Sequence, residues 1–125
     1  MANASTFEAI RQKLHRMTPL IHGTLDSLIL RTLDREPRHG YGIVRYLEEA
    51  GGEALAVGEG SLYPALYRLE GKGLIESEWR PSELGRRAKF YRLTPQGRQR
   101  LETDTARWRA FADAVSRILL PEDAP

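Results

Sequence analysis

Gly60-Ser61-Leu62-Tyr63-Pro64-Ala65-Leu66-Tyr67-Arg68-Leu69 carries apolar residues at 62, 65, 66 and 69. That i, i+3, i+4, i+7 spacing makes one buried stripe along a helix. Ser61 reads as its N-cap and Pro64 as a first-turn residue, where a missing N–H does no harm. Gly71 and Gly73 end the helix. The face away from the stripe holds Tyr63, Pro64, Tyr67, Arg68 and Gly71. Two tyrosines, a proline and an arginine are an odd set to leave to water. They pack on a neighbouring helix, or they meet a partner.

Downstream the period changes from 3.6 to 2. Ile75, Ser77 and Trp79 alternate with Glu76, Glu78 and Arg80, and residues 88–93 form a second β-prone run. The facing of that second run stays open, because Phe90 and Tyr91 point to opposite sides. A turn-rich segment from Pro81 to Gly85 joins the two into a hairpin with Arg86, Arg87 and Lys89 at its tip. Between Arg80 and Arg92 there are five basic groups and one acid, Glu83.

Upstream, Ser5-Thr6-Phe7-Glu8 is a capping box leading into the stripe Phe7, Ile10, Leu14 and Met17, which Pro19 ends. A second helix is expected from Thr24 as N-cap, burying Leu25, Leu28, Ile29 and Leu33 and stopping at Glu36 before Pro37. Arg38-His39-Gly40 reads as a turn. A third helix turns Ile43, Val44 and Leu47 inward and ends at Gly51-Gly52, with a loop to about Glu59. At the other end, Thr94-Pro95 is a cap followed by proline at the first helical position. That last helix should reach Leu120, about 39 Å at 1.5 Å per residue. Leu101, Thr105, Trp108, Ala112, Val115 and Leu119 are spaced 4, 3, 4, 3, 4, an a/d seam widened by Phe111 and Ile118. So long an apolar seam on a small body needs a partner.

The order is thus helix, helix, turn, helix, helix, hairpin, long helix. This is the winged helix-turn-helix plan: mainly α, with a small two-stranded β wing, an N-terminal helix and a long C-terminal dimerisation helix. In it the helix before the wing enters the DNA major groove. Charge fits. Residues 1–60 are net −1, residues 61–100 net +5 and residues 101–125 net −2, within a chain of 125 residues and net +2. A local excess of cations points to an anionic partner on one face. The length suits one domain. The composition, 41% hydrophobic and 29% charged with mean hydropathy −0.48, is that of an ordinary soluble protein. No apolar run approaches a membrane span, and no signal peptide is visible, so a cytoplasmic location without membrane attachment is expected. The absence of cysteine excludes disulfides, thiolate metal sites and cysteine nucleophiles.

Enzyme readings find little support. His15, His22 and His39 lack paired metal spacing. Gly58-Glu59-Gly60-Ser61 resembles a phosphate-cradling loop but is not followed by the lysine such loops use. Glu48-Glu49 reads as a solvated helix face. No catalytic residue, metal or cofactor is expected.

Gly23-Thr24-Leu25-Asp26, His39-Gly40-Tyr41-Gly42-Ile43, Gly60-Ser61-Leu62-Tyr63-Pro64-Ala65-Leu66 and Arg87-Ala88-Lys89-Phe90-Tyr91-Arg92-Leu93-Thr94, taken as a set, resemble PadR-type transcriptional regulators over roughly residues 20–120. The single C-terminal helix is similar to the family's short branch. The resemblance implies a dimer held by the last and the N-terminal helices, repression of promoters, and response to small hydrophobic or phenolic compounds. It also implies that Trp108 matches an aromatic position that in some members stacks on ligand at the dimer centre. Trp108 as plain dimer core and Trp108 as part of an effector pocket both stand at this point.

The expectation is therefore a sequence-specific, dimeric repressor. Its segments are an N-terminal helix (1–20), a DNA-binding unit (21–93), a dimerisation helix (94–120) and a tail (121–125). Tyr41, Ser61, Tyr63, Pro64, Tyr67, Arg68, Arg86, Arg87 and Lys89 are the expected DNA contacts. Phe7, Ile10, Leu14, Leu101, Thr105, Trp108, Ala112, Val115 and Leu119 are the expected dimer contacts, and the operator should be a pseudo-palindromic duplex with half-sites about 34 Å apart. The rivals are a winged helix that binds protein through its tyrosine face, and a small-molecule binder without DNA function.

Overall fold

The computed structural model describes residues 18–83 and 85–120. Its elements run α1 (Thr18–Arg35), β1 (Arg38–His39), α2 (Gly40–Gly51), a 3-10 turn (Gly52–Leu55), α3 (Glu59–Gly71), β2 (Ile75–Pro81), β3 (Arg87–Leu93) and α4 (Pro95–Leu119). This is a mainly helical winged helix-turn-helix. The Ser5 capping box, the stripe Phe7, Ile10, Leu14 and Met17, and the tail lie outside the described residues.

The core forms where the predicted stripes meet. Leu25, Ile29, Leu30 and Leu33 of α1, Ile43 and Leu47 of α2, and Leu62, Ala65, Leu66 and Leu69 of α3 are all buried, closed below by Ile75, Tyr91 and Leu101. Each large aliphatic side chain taken from water contributes about 1.5–3 kcal/mol. The one buried polar residue among those described, Thr32, donates its hydroxyl hydrogen to the Leu28 carbonyl at 2.8 Å.

Several boundaries differ from expectation. Helix α1 begins at Thr18, so Pro19 stands in its first turn, and Thr24 lies inside α1 instead of capping it; the helix that Pro19 was expected to end lies outside the described residues. The first N–H groups of a helix have no intrahelical acceptor, so a proline fits there. The expected division at residues 20/21 therefore falls within α1. Helix α3 is capped by Gly58, whose carbonyl accepts from both Ser61 and Leu62 N–H at 3.1 Å, so Ser61 is a helical residue and not the cap. Pro64 consequently sits in the second turn, where it cannot donate to the exposed Gly60.

Arg38 and His39 form a strand, not a turn. The sheet has three strands in the order β1-β3-β2, pairing Arg38 with Tyr91, His39 with Phe90, and Ile75–Pro81 with Leu93–Arg87. Because β1 is so short, the edge of β3 from Arg87 to Lys89 stays open. The ambiguity at Phe90 and Tyr91 is resolved: Tyr91 enters the core. Phe90 lies on the other face, with the His39 ring edge-on at 5.2 Å and the Arg80 guanidinium 4.0 Å from its centroid.

Helix α2 ends as expected at a glycine: Gly52 has φ 67°, and its N–H reaches the Glu48 carbonyl. Helix α4 also starts as expected. The Thr94 hydroxyl accepts from Gly97 N–H at 3.0 Å and donates to the Gly73 carbonyl at 2.7 Å, fastening α4 to the turn after α3. Gly97 is pressed onto that turn. A Cβ there would overlap the Leu74 carbonyl oxygen and crowd the Leu93 side chain at 2.7 Å. Backbone cannot swing aside as a side-chain tip can. Gly97→Ala should therefore lower stability by about 2 kcal/mol, as overpacked sites do. Urea unfolding checks this, and an unchanged midpoint would show that the α4 junction is looser than described.

Candidate nucleic-acid interface

Burying the leucine stripe of α3 leaves its other face outside. Tyr63 and Tyr67 are exposed, Tyr67 at 81%, with Pro64 and Gly71 beside them. Arg68, expected on this face, is turned toward α1, its Nη2 donating to Asp26 Oδ1 at 3.0 Å. Ser61 is half-buried in the first turn.

The wing is locked to α3 by one carboxylate. Glu70, near the end of α3, accepts from the Ser77 hydroxyl at 2.5 Å and faces Lys89 Nζ at 3.4 Å. Lys89 is thus not at the wing tip, where it was expected. Its strand position points it along the inner face of the sheet, back at α3, with its Nζ 5.6 Å from the Tyr91 ring centroid. The tip itself is residues 82–86, closed by Ser82, whose N–H and hydroxyl both donate to the Arg86 carbonyl at 2.7 Å. Arg86 and Arg87 are exposed there, and neither forms an ion pair among the described residues.

Between the wing and the start of α2 lies a cleft of about 1060 Å³ lined by Tyr41, Arg45, Tyr63, Trp79, Arg86 and Arg87 among others. His39 sets its α2 wall. It is the N-cap, its Nδ1 accepting from Gly42 N–H at 3.0 Å, and its ring stacks on Tyr41 at 6.4 Å. Tyr63 reaches the cleft because Gly40 has no side chain: a Cβ there would lie 2.8 Å from the Tyr63 hydroxyl. Arg45, Trp79, His39 and Glu70 were not expected at this site. Trp79 gave a signal in its alternation with Ile75 and Ser77, and His39 in the segment His39-Gly40-Tyr41-Gly42-Ile43; Arg45 and Glu70 gave none.

The α4 seam divides in two. Leu101, only 3% exposed, belongs to this chain's own core, and Thr105 accepts from Arg31 Nη2 at 3.4 Å. Both were expected at a dimer interface, and both are occupied within the chain. Ser27 to Asp104 at 2.9 Å and Arg98 to Asp34 at 2.6 Å complete the bolting of α4 onto α1. Beyond that point Ala112 and Val115 are half-buried, while Trp108, Phe111, Ile118 and Leu119 are exposed. Trp108 and Phe111 lie 6.2 Å apart, ring to ring. Phe7, Ile10 and Leu14 fall outside the described residues. Among the described residues no cluster of three or more His, Asp or Glu could hold a metal, and no helix is long and apolar enough to cross a membrane.

A family model described as the transcriptional regulator PadR-like family matches residues 29–103. An uncharacterized protein of Lysinibacillus sphaericus is 33% identical over 100 residues, 80% of this chain and 92% of that one. A transcriptional regulator of Mycobacterium tuberculosis is 42% identical over 81 residues, 65% of this chain and 69% of that one. Among solved structures, a PadR family transcriptional regulator from Eggerthella lenta superposes with a TM-score of 0.72 at 33% identity, over 90% of this chain and 97% of that one.

Tyr91 sets an alkaline limit on this arrangement. Burial raises its phenol above the ordinary value of 10.0, Lys89 pulls it back, and Glu70 and Tyr63 add to the rise. The folded chain therefore holds this proton more tightly than the unfolded chain. That stabilisation is complete below pH 10 and is lost as pH rises through the folded value. Urea midpoints should fall above about pH 10, and Tyr91→Phe should flatten that fall. An identical alkaline slope in the variant would mean that Tyr91 does not cause it.

Proposed function

The chain belongs to the PadR-like family of transcriptional regulators, and we propose that it acts as a homodimeric repressor reading a pseudo-palindromic operator. It is a DNA-binding transcriptional regulator and not an enzyme. The observation that carries the finer reading is the exposed Tyr63-Pro64-Tyr67 face of α3, continuous through Tyr63 with a cleft edged by Arg86 and Arg87. In this reading residues 21–93 are the DNA-binding unit. Tyr63, Pro64 and Tyr67 meet base edges, while Tyr41, Ser61, Arg86 and Arg87 meet the backbone. Arg68 and Lys89 reach DNA only by leaving Asp26 and Glu70. Both pairs keep one or both partners open to water, where ion pairs are individually weak, so a phosphate or guanine can take them over.

The dimer is proposed on the outer half of α4, through Trp108, Ala112, Val115 and Leu119, with residues 1–20 supporting it. A contiguous exposed apolar face of this kind is a liability in a monomer. A two-fold pairing buries the same patch on both copies. The Trp108–Phe111 pair is where a small hydrophobic or phenolic effector would insert, loosening the repressor from its operator.

Two experiments test this. Arg86→Ala with Arg87→Ala should weaken binding to every duplex alike and reduce the salt slope by about two, one per lost phosphate contact. An unchanged slope removes the wing from the backbone contacts. Val115→Asp puts an unpartnered charge into the seam, at a cost of several kcal/mol per dimer. Sedimentation should then show a monomer whose operator affinity has collapsed although no DNA-facing residue changed. Wild-type protein that sediments as a monomer at micromolar concentration would overturn the dimer and the palindromic operator together.

A further inference from the structure

We infer that the cleft between α2 and the wing takes one sugar–phosphate strand of bound DNA, with Trp79 as its apolar wall. This rests on the DNA-binding reading and adds a residue and a kind of contact to it.

Trp79 is 60% exposed, although it stands on the inner face of the wing. The register fixes that face: Ile75 pairs with Leu93, Ser77 with Tyr91, Trp79 with Lys89 and Pro81 with Arg87. Alternation puts 75, 77, 79 and 81 on one side, the side that carries buried Ile75 and Tyr91. Trp79 is thus the first residue on that face beyond the core. The face then passes to a free cation, Arg87. Lys89, across from Trp79, is turned to Glu70 and leaves the indole uncovered.

The opposite wall is also aromatic and also edged by charge. Tyr41 is 64% exposed and stacks on His39, and Arg45 lies 5.9 Å from the Tyr41 ring centroid. Three carboxylates line the cleft as well. Glu36 and Glu49 are paired with Arg38 and Arg45, and Glu83 sits on the tip. Walls of aromatic carbon with unpaired arginines at the rim match a deoxyribose–phosphate strand. The C–H faces of the sugars are apolar and the phosphates at their edges are anionic. Tyr63 belongs both to the cleft and to the exposed face of α3, so a duplex seated on α3 brings its flanking strand over the cleft. The indole then packs on sugar, which is alike in all sequences, and it releases no counterion.

That combination separates Trp79 from the arginines and from the base readers. Labelled duplexes carrying the upstream region of the chain's own gene, and random duplexes of equal length, should be titrated at several salt concentrations. Trp79→Ala should weaken both roughly tenfold, as loss of a large aromatic contact does, with the salt slope unchanged. Trp79→Phe, which keeps a ring on the strand, should lose less. Wild-type tryptophan emission should change on adding DNA, and Trp79→Phe, which retains Trp108, should lose that change. If the Ala variant fails to fold, the emission of the Phe variant decides. Wild-type affinity in Trp79→Ala, or an undiminished emission change in Trp79→Phe, overturns the inference while leaving DNA binding intact. Wild-type protein that binds neither duplex overturns the DNA-binding reading itself.

Discussion

Leu62, Ala65, Leu66 and Leu69 have essentially no solvent contact, and that burial sets the rotational phase of α3. A helix can present only one stripe to a core. Once these four face Ile29, Leu33, Ile43 and Leu47, the tyrosines have no choice but to face out. Rotating α3 by even one residue would drive Tyr63 into the core and expose a leucine, at several kcal/mol for each side chain exchanged. The exposed face of α3 is therefore held by the core behind it, and the proline and tyrosines are free to serve whatever lies in front.

The second constraint is Glu70. It is the only described residue through which α3 and both wing strands are joined by side-chain hydrogen bonds, to Ser77 on β2 and Lys89 on β3. It fixes the wing's height relative to α3. It also sorts the cations of the basic stretch. Lys89 is held by Glu70, Arg92 by Glu76 at 2.7 Å, and Arg80 by the Phe90 ring, so Arg86 and Arg87 are left to project charge outward. The net +5 of residues 61–100 is thus larger than the charge available at the tip.

Much of this was legible in the sequence. The α3 stripe, the hairpin, the Thr94-Pro95 start and the exposed outer half of α4 all follow from periodicity and capping chemistry, which are local. The errors lie where tertiary contacts decide. Thr24 has the composition of a cap, but α1 continues back to Thr18. Ser61 has it too, yet the chain turns at Gly58. A two-residue strand such as Arg38–His39 has no period to read. Leu101 and Thr105 fit a heptad as well as Trp108 and Val115 do; only the position of α1 shows that the first two are already used. Charge count could not show that Arg68 and Lys89 turn inward, because Asp26 and Glu70 are distant from them in sequence.

The bolting of α4 to α1 has a mechanical consequence. Ser27–Asp104, Arg31–Thr105 and Arg98–Asp34 clamp one end of a rod whose other half carries the exposed Trp108, Phe111, Ile118 and Leu119. An α-helix is stiff, so the clamp makes a lever with the helical core attached at its base. With about 20 Å of rod beyond the clamp at 1.5 Å per residue, a tilt of roughly 10° about the free end moves the clamped end by about 3.5 Å. That is comparable to the rise of one base pair. Under the proposed DNA-binding reading, the angle of α4 would set where the exposed face of α3 falls along a duplex, and a tilt of that size would move Tyr67 by about one base pair.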